Sequence, residues 1–171
     1  MQHQGSMKAP PPGLYTEEQR RRRDASPWTL VQGILAPAQF LVFLVSLALV
    51  LWYLSTGELL EWAAWSVVIK TLVLYTIMIT GSIWEKEVFG HYLFAPAFFW
   101  EDVFSMAVIV LHTAYLVVWF GDLLTHGQQM IIALAAYAAY AINAAQFLLK
   151  LRAARLQEEQ MRRAAEGEAA E

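Results

Sequence analysis

Between Thr29 and Thr56 the chain carries no charged residue. Roughly 20 apolar residues are enough for a helix to cross the hydrocarbon core of a bilayer, so this run is long enough to span it. Inside lipid every backbone N–H and C=O must find a partner within the protein, and a helix satisfies them locally. Three further apolar segments follow, at about residues 61–84, 101–121 and 129–155. The expected fold is therefore an all-α membrane protein, with four transmembrane helices in a bundle. Composition agrees: 58% of residues are hydrophobic and 16% charged, against about 45–50% and 25% in soluble domains.

The flanks suggest an orientation. Arg20 to Arg23 precede the first span, and Lys150, Arg152 and Arg155 follow the fourth. The connections Ser55–Leu60 and Gly121–Gln128 hold no Lys or Arg. Positive charge stays on the cytoplasmic side, so both termini and the Trp84–Trp100 connection are expected there. Residues 1–24 read as a segment disordered to about Gly13 and then a short surface helix. Residues 25–156 form the membrane domain, and 157–171 a polar tail expected to extend the fourth helix into water and fray near Gly167.

Several function classes drop out. A net charge of −3 supplies no basic surface for nucleic acid. The absence of cysteine removes disulfides, thiolate metal sites and a thiol nucleophile. With four histidines, two of them outside any core, a resident metal or bis-His haem has little support. No phosphate-binding glycine loop and no catalytic triad has recognisable spacing.

Polar residues concentrate instead in Ser82–Ser105, S-I-W-E-K-E-V-F-G-H-Y-L-F-A-P-A-F-F-W-E-D-V-F-S. Glu85, Lys86, Glu87, His91, Glu101 and Asp102 alternate there with Trp84, Phe89, Tyr92, Phe94, Phe98, Phe99 and Trp100. An interfacial aromatic belt with helix-end charges would account for much of this. A pocket for a flat, apolar, partly polar molecule would account for it too. Each span also has a polar stripe. Gln32, Gln39, Phe43 and Ser46 share a face of the first, and Lys70 sits inside the second, either snorkelling or buried for function. Glu101, Ser105, Val108, His112, Tyr115 and Trp119 share a face of the third. His112 is either a mid-membrane functional group or the donor of a plain inter-helix hydrogen bond to Tyr140 or Asn143. Asn143, Gln146 and Lys150 line the fourth, and Pro37 should kink the first or mark an interfacial turn.

The chemistry on offer is proton transfer, from Glu85, Glu87, Glu101, Asp102, His91, His112 and Tyr115. A carboxylic acid among aromatics can protonate an unsaturated carbon while a neighbouring base orients a water. That is hydratase chemistry, and it needs no metal.

D-A-S-P-W-T-L-V-Q-G-I-L-A-P-A-Q-F-L-V-F-L-V-S-L (Asp24–Leu47), T-G-S-I-W-E-K-E-V-F-G-H-Y-L-F-A-P-A-F-F-W-E-D-V-F-S-M (Thr80–Met106), L-H-T-A-Y-L (Leu111–Leu116) and the run Ala135–Arg152 resemble the vinyl bacteriochlorophyllide hydratase family. The resemblance spans Tyr15 to Leu156. It implies addition of water across the 3-vinyl group of chlorophyllide a, or of a bacteriochlorophyllide precursor, to give a 1-hydroxyethyl group. It also implies a multi-pass protein of the bacterial inner membrane, with no cofactor beyond the magnesium of its tetrapyrrole substrate. Water and lipid are its other partners, alongside neighbouring biosynthetic enzymes or further copies of the chain. On this reading the catalytic candidates are Glu85, Glu101, Asp102 and His112: Glu101 or Glu85 as acid, Asp102 or His112 orienting the water. Trp84, His91, Trp100, Tyr115, Asn143, Gln146 and Lys150 are substrate-binding candidates. His91 or His112 could contact the substrate's magnesium axially, and Lys150, better placed than Lys70, could meet its propionate. The rival readings are a non-catalytic pigment-binding or assembly protein and, more remotely, a small transporter, for which four helices without a repeat are a poor fit.

Overall fold

A computed structural model describes residues 14–168; the expectation of disorder before Gly13 lies outside them. Five helices follow in order: α1 (Glu17–Ala25), α2 (Pro27–Thr56), α3 (Leu60–Phe89), α4 (Phe99–Phe120) and α5 (His126–Glu168). The last four are long and apolar enough to cross a membrane.

Local chemistry explains most boundaries. Thr16 and Gln19 form a reciprocal capping box at the start of α1, which satisfies two amides that the first turn leaves free. Ser26 ends α1 and caps α2, accepting the Trp28 N–H, and Pro27 occupies the first turn, where no N–H is needed. Gly57, at φ +76°, closes α2 in the left-handed conformation that glycine adopts without a Cβ penalty. Gly90, at φ +87°, does the same for α3.

Some extents differ from the hydropathy reading. α2 runs unbroken through Pro37, so the proline costs a hydrogen bond without ending the helix. α3 continues five residues past Trp84, because Glu85, Lys86 and Glu87 are helix formers even where hydropathy falls. The polar tail, by contrast, continues the fourth helix as expected: α5 carries on through residues 157–168, whose Glu, Gln, Arg and Ala residues all favour helix.

Packing joins α2 to α3 and α4 to α5, with α2 also meeting α5 and α3 meeting α4. The main core holds Phe43, Val50, Val67, Leu74, Val108, Tyr115, Met130 and Tyr137. Ala133 and Ala136 are fully buried on α5, where small side chains allow close approach in place of a hydrophobic drive. Leu41, Trp62, Leu72, Val110, Ile131 and Leu148 are exposed on the outside, as a lipid-facing surface requires. A second, smaller core of Tyr15, Val88 and Phe98 closes the end of the helices that bears α1. There Tyr15 stacks on Phe89, and Phe98 on Phe147. The Arg23 guanidinium covers Tyr15 and pairs with Glu158 of α5. This end is also where the acidic stretch lies.

Candidate functional site

The end of α3, the 90–98 connection and the start of α4 converge on two carboxyls. Glu85 is 6% exposed and Asp102 2%. The two carboxyls are neighbours, facing the adjacent amides of Phe94 and Ala95. With one proton held between them, one carboxyl can donate to the other. Each also holds the connecting loop. Asp102 Oδ2 accepts the Phe94 N–H at 2.7 Å and Glu85 Oε2 the Ala95 N–H at 3.4 Å. Phe94 has φ +60°, a conformation that costs a bulky residue about 1–3 kcal/mol. The bond to Asp102 helps hold it there. As helix-end charges, both α4 acids would sit over their own helix's free amides. Asp102 instead reaches back across the loop, and Phe98 at the N-cap makes no side-chain cap.

Glu101, 8% exposed, turns to α5, where Lys150 Nζ sits 2.6 Å from its Oε2. That ammonium lies 4.9 Å from the centre of the Phe98 ring. One turn deeper, Asn143 Nδ2 donates to Ser105 Oγ at 2.8 Å. Glu85, Asp102, Glu101, Lys150, Ser105 and Asn143 thus form a continuous polar seam entering the membrane domain from one end.

The aromatics divide into two sets. Trp84 packs edge-on against Phe89 and Phe98 and donates its indole N–H to Thr29, so its role is to bind the end of α3 to α2. Trp100 is 66% exposed and packs against Phe99, which in turn meets Phe94. Tyr92 is also exposed. These rings form an open apolar face beside the carboxyl pair, and His91 is exposed next to it.

Other candidates lie deeper. His112 is fully buried, with its Nδ1 on the Val108 carbonyl at 2.8 Å. Nδ1 must be the protonated nitrogen to donate there, which leaves a lone pair on Nε2. Neither Tyr140 nor Asn143 is its partner: Asn143 bonds Ser105. Ten residues of α4 separate His112 from Asp102, about 15 Å along the axis. Tyr115 is farther still, stacked on Trp119 and directed at the Ala64 carbonyl. Lys70 does not snorkel. It is 0% exposed, with Nζ 3.8 Å from the Tyr140 ring centre.

Two contributors escaped the sequence reading. Tyr15, in a polar segment, plugs the small core, and Ser26 donates to Glu87 at 2.5 Å. Only an isolated aromatic and a cap residue marked them. Among the described residues no cluster of His, Asp and Glu could hold a metal ion.

No solved structure matches the chain. The 2-vinyl bacteriochlorophyllide hydratase family model matches residues 15–153. The 2-vinyl bacteriochlorophyllide hydratase of Cereibacter sphaeroides is 70% identical over 88% of this chain and 94% of its own length. The protein of that name from Rhodobacter capsulatus is 69% identical over 84% of each. With the acidic seam, three of the long helices and most of the fourth inside the matched region, the chain belongs to the 2-vinyl bacteriochlorophyllide hydratase family.

Proposed function

We propose that this protein is a membrane hydratase that adds water across the vinyl group of a chlorophyllide-type tetrapyrrole in bacteriochlorophyll biosynthesis, with Glu85 and Asp102 as its reaction centre. The observation that carries the assignment of the centre is the pair of adjacent buried carboxyls beside an open aromatic face. The four long helices form a bundle in the bacterial inner membrane, with both termini and the acidic end toward the cytoplasm.

A flat chlorin lies against Trp100, Phe94 and Tyr92, whose rings offer area to stack on. Its vinyl group enters between Glu85 and Asp102. The protonated member of the pair delivers its proton to the terminal vinyl carbon, leaving a cation at the carbon attached to the ring. The macrocycle delocalises that charge and the partner carboxylate stabilises it. Water attacks the cationic carbon and gives its spare proton to the carboxylate, which restores the pair. One C–O and one C–H bond form, and the sum is vinyl plus water. Glu101, held by Lys150, orders the seam behind the pair, and Lys150 is the cation nearest to greet the propionate. Exposed His91 is the better placed of the two histidines for the substrate's magnesium, since His112 is enclosed.

The test is direct. The purified chain in lipid nanodiscs is incubated with chlorophyllide a, and the pigment is followed by chromatography and mass spectrometry. A product heavier by one water supports the reading. Pigment that binds unchanged would support a binding or assembly role instead.

A further inference from the structure

Five buried polar atoms have no hydrogen-bond partner along one line through the helices: Gln146 Oε1, Asn143 Oδ1, Gln39 Oε1, His112 Nε2 and Lys70 Nζ. Gln39, Lys70 and His112 are each at most 2% exposed. Unpartnered groups of this kind are rare in buried protein, and each calls for a cause. Cross-helix contacts fix their order. Lys70 lies on Tyr140 of α5, and the His112 ring lies against Tyr137 one turn away. Phe43 touches both tyrosines, and Gln39 is one turn from Phe43 along α2. Asn143 and Gln146 follow Tyr140 at steps of three residues, about 4.5 Å each, and lead to Lys150 and Glu101. The line thus begins at Lys70 and His112 in the middle of the membrane domain and ends at the acidic seam.

The donor and acceptor pattern is specific. Lys70 is a donor, while His112 Nε2, Gln39 Oε1, Asn143 Oδ1 and Gln146 Oε1 are acceptors. They do not satisfy one another by direct contact at these positions. Water, which accepts from an ammonium and donates twice, satisfies all of them, and a buried water needs only two to four such partners. A carboxylate or phosphate would meet one cation and four repelling acceptors, so an anion is the wrong guest.

We propose that these five side chains hold a file of internal water that runs to the Glu85–Asp102 pair and supplies the molecule consumed in hydration. The proposal rests on the reaction centre assigned above. A broad apolar pigment on the aromatic face would shut the cytoplasmic mouth to bulk water, and the interior file would remain as a source. Each turnover removes one water at the carboxyl end, and the file moves up by one place.

Hydroxyl radicals generated from water in place by a brief X-ray pulse test the file on the full chain in nanodiscs. His112 and Met130 are both 0% exposed, and methionine reacts readily. His112 should be oxidised and Met130 spared. Labelling of neither, or of Met130 alone, would overturn the file. Supply is tested with Gln39→Leu and Lys70→Met, both of which replace an unpartnered polar group by an apolar one of similar size. Each should lower kcat by about tenfold, as for one lost hydrogen bond, with pigment affinity unchanged. Wild-type kcat in both variants would overturn the supply role. If the wild-type chain labels at His112 yet hydrates no vinyl pigment, the file stands, and both the reaction centre and the supply role fall.

Discussion

Asp102 does two things that substitution can separate. Its Oδ2 anchors the Phe94 N–H at 2.7 Å, and its carboxyl lies beside that of Glu85, which takes the next amide of the loop. Asp102→Asn keeps an acceptor for the loop amide and offers Glu85 an N–H, but it can neither give nor take a proton at neutral pH. Asp102→Ala removes both. Losing a hydrogen bond to a charged acceptor costs about 1.5–3 kcal/mol, and the loop must also hold Phe94 at φ +60° without it. The alanine variant should therefore lose that much stability and become susceptible to proteases in the 90–98 connection. The asparagine variant should stay within about 1 kcal/mol of wild type, since a neutral hydrogen bond replaces a charged one. Turnover separates the roles in the other direction. Positioned acid–base groups contribute about 10²–10⁴-fold, so both variants should lose at least 10²-fold, about 3 kcal/mol in the barrier. The assay is pigment mass after a timed incubation, paired with thermal unfolding and limited proteolysis in the same detergent. An asparagine variant that turns over near the wild-type rate would refute the reasoning, leaving Asp102 as a loop anchor only.

Lys150→Met leaves the buried Glu101 without its partner at 2.6 Å; it should raise the KM for the free propionate pigment several-fold and leave the KM for its methyl ester unchanged, as steady-state kinetics would read. Gly90→Ala forces a Cβ into φ +87° and should cost about 1 kcal/mol of stability, measured by thermal unfolding. Burial pushes the Tyr15 phenol up to about 12. The unfolded segment ionises near 10 and gains relative to the docked one above that pH, so α1 docking should weaken between pH 10 and 12; protease cleavage near Arg20–Arg23 should rise there in wild type and stay flat in Tyr15→Phe.

The helices were legible because 20-residue apolar runs have one physical reading. The polar stripes were legible too: Lys150 beside Glu101, and Asn143 facing Ser105, occupy the positions that 100° per residue assigns them. Partners across helices were not. Periodicity gives the face of a residue but not what meets it, so His112 was offered Tyr140 or Asn143 and in fact bonds its own helix at Val108. Lys70 has a stem long enough to reach an interface, and only the packing of Tyr140 over its ammonium decides against it. The loop was the least legible part. A left-handed Phe94 pinned by an acid eight residues later has no sequence signature. For the same reason Glu85 and Asp102 were on the candidate list, while their convergence on one loop was not visible.

The most direct measurement is a single turnover of chlorophyllide a in deuterated, heavy-oxygen water, comparing wild type with Glu85→Gln under conditions where both bind pigment. If water adds at the carboxyl pair, the wild-type product carries one deuterium on the new methyl group and heavy oxygen in the new hydroxyl, and the variant yields bound but unaltered pigment. The same doubly labelled product from Glu85→Gln at the wild-type rate would contradict the account and move the chemistry away from this pair.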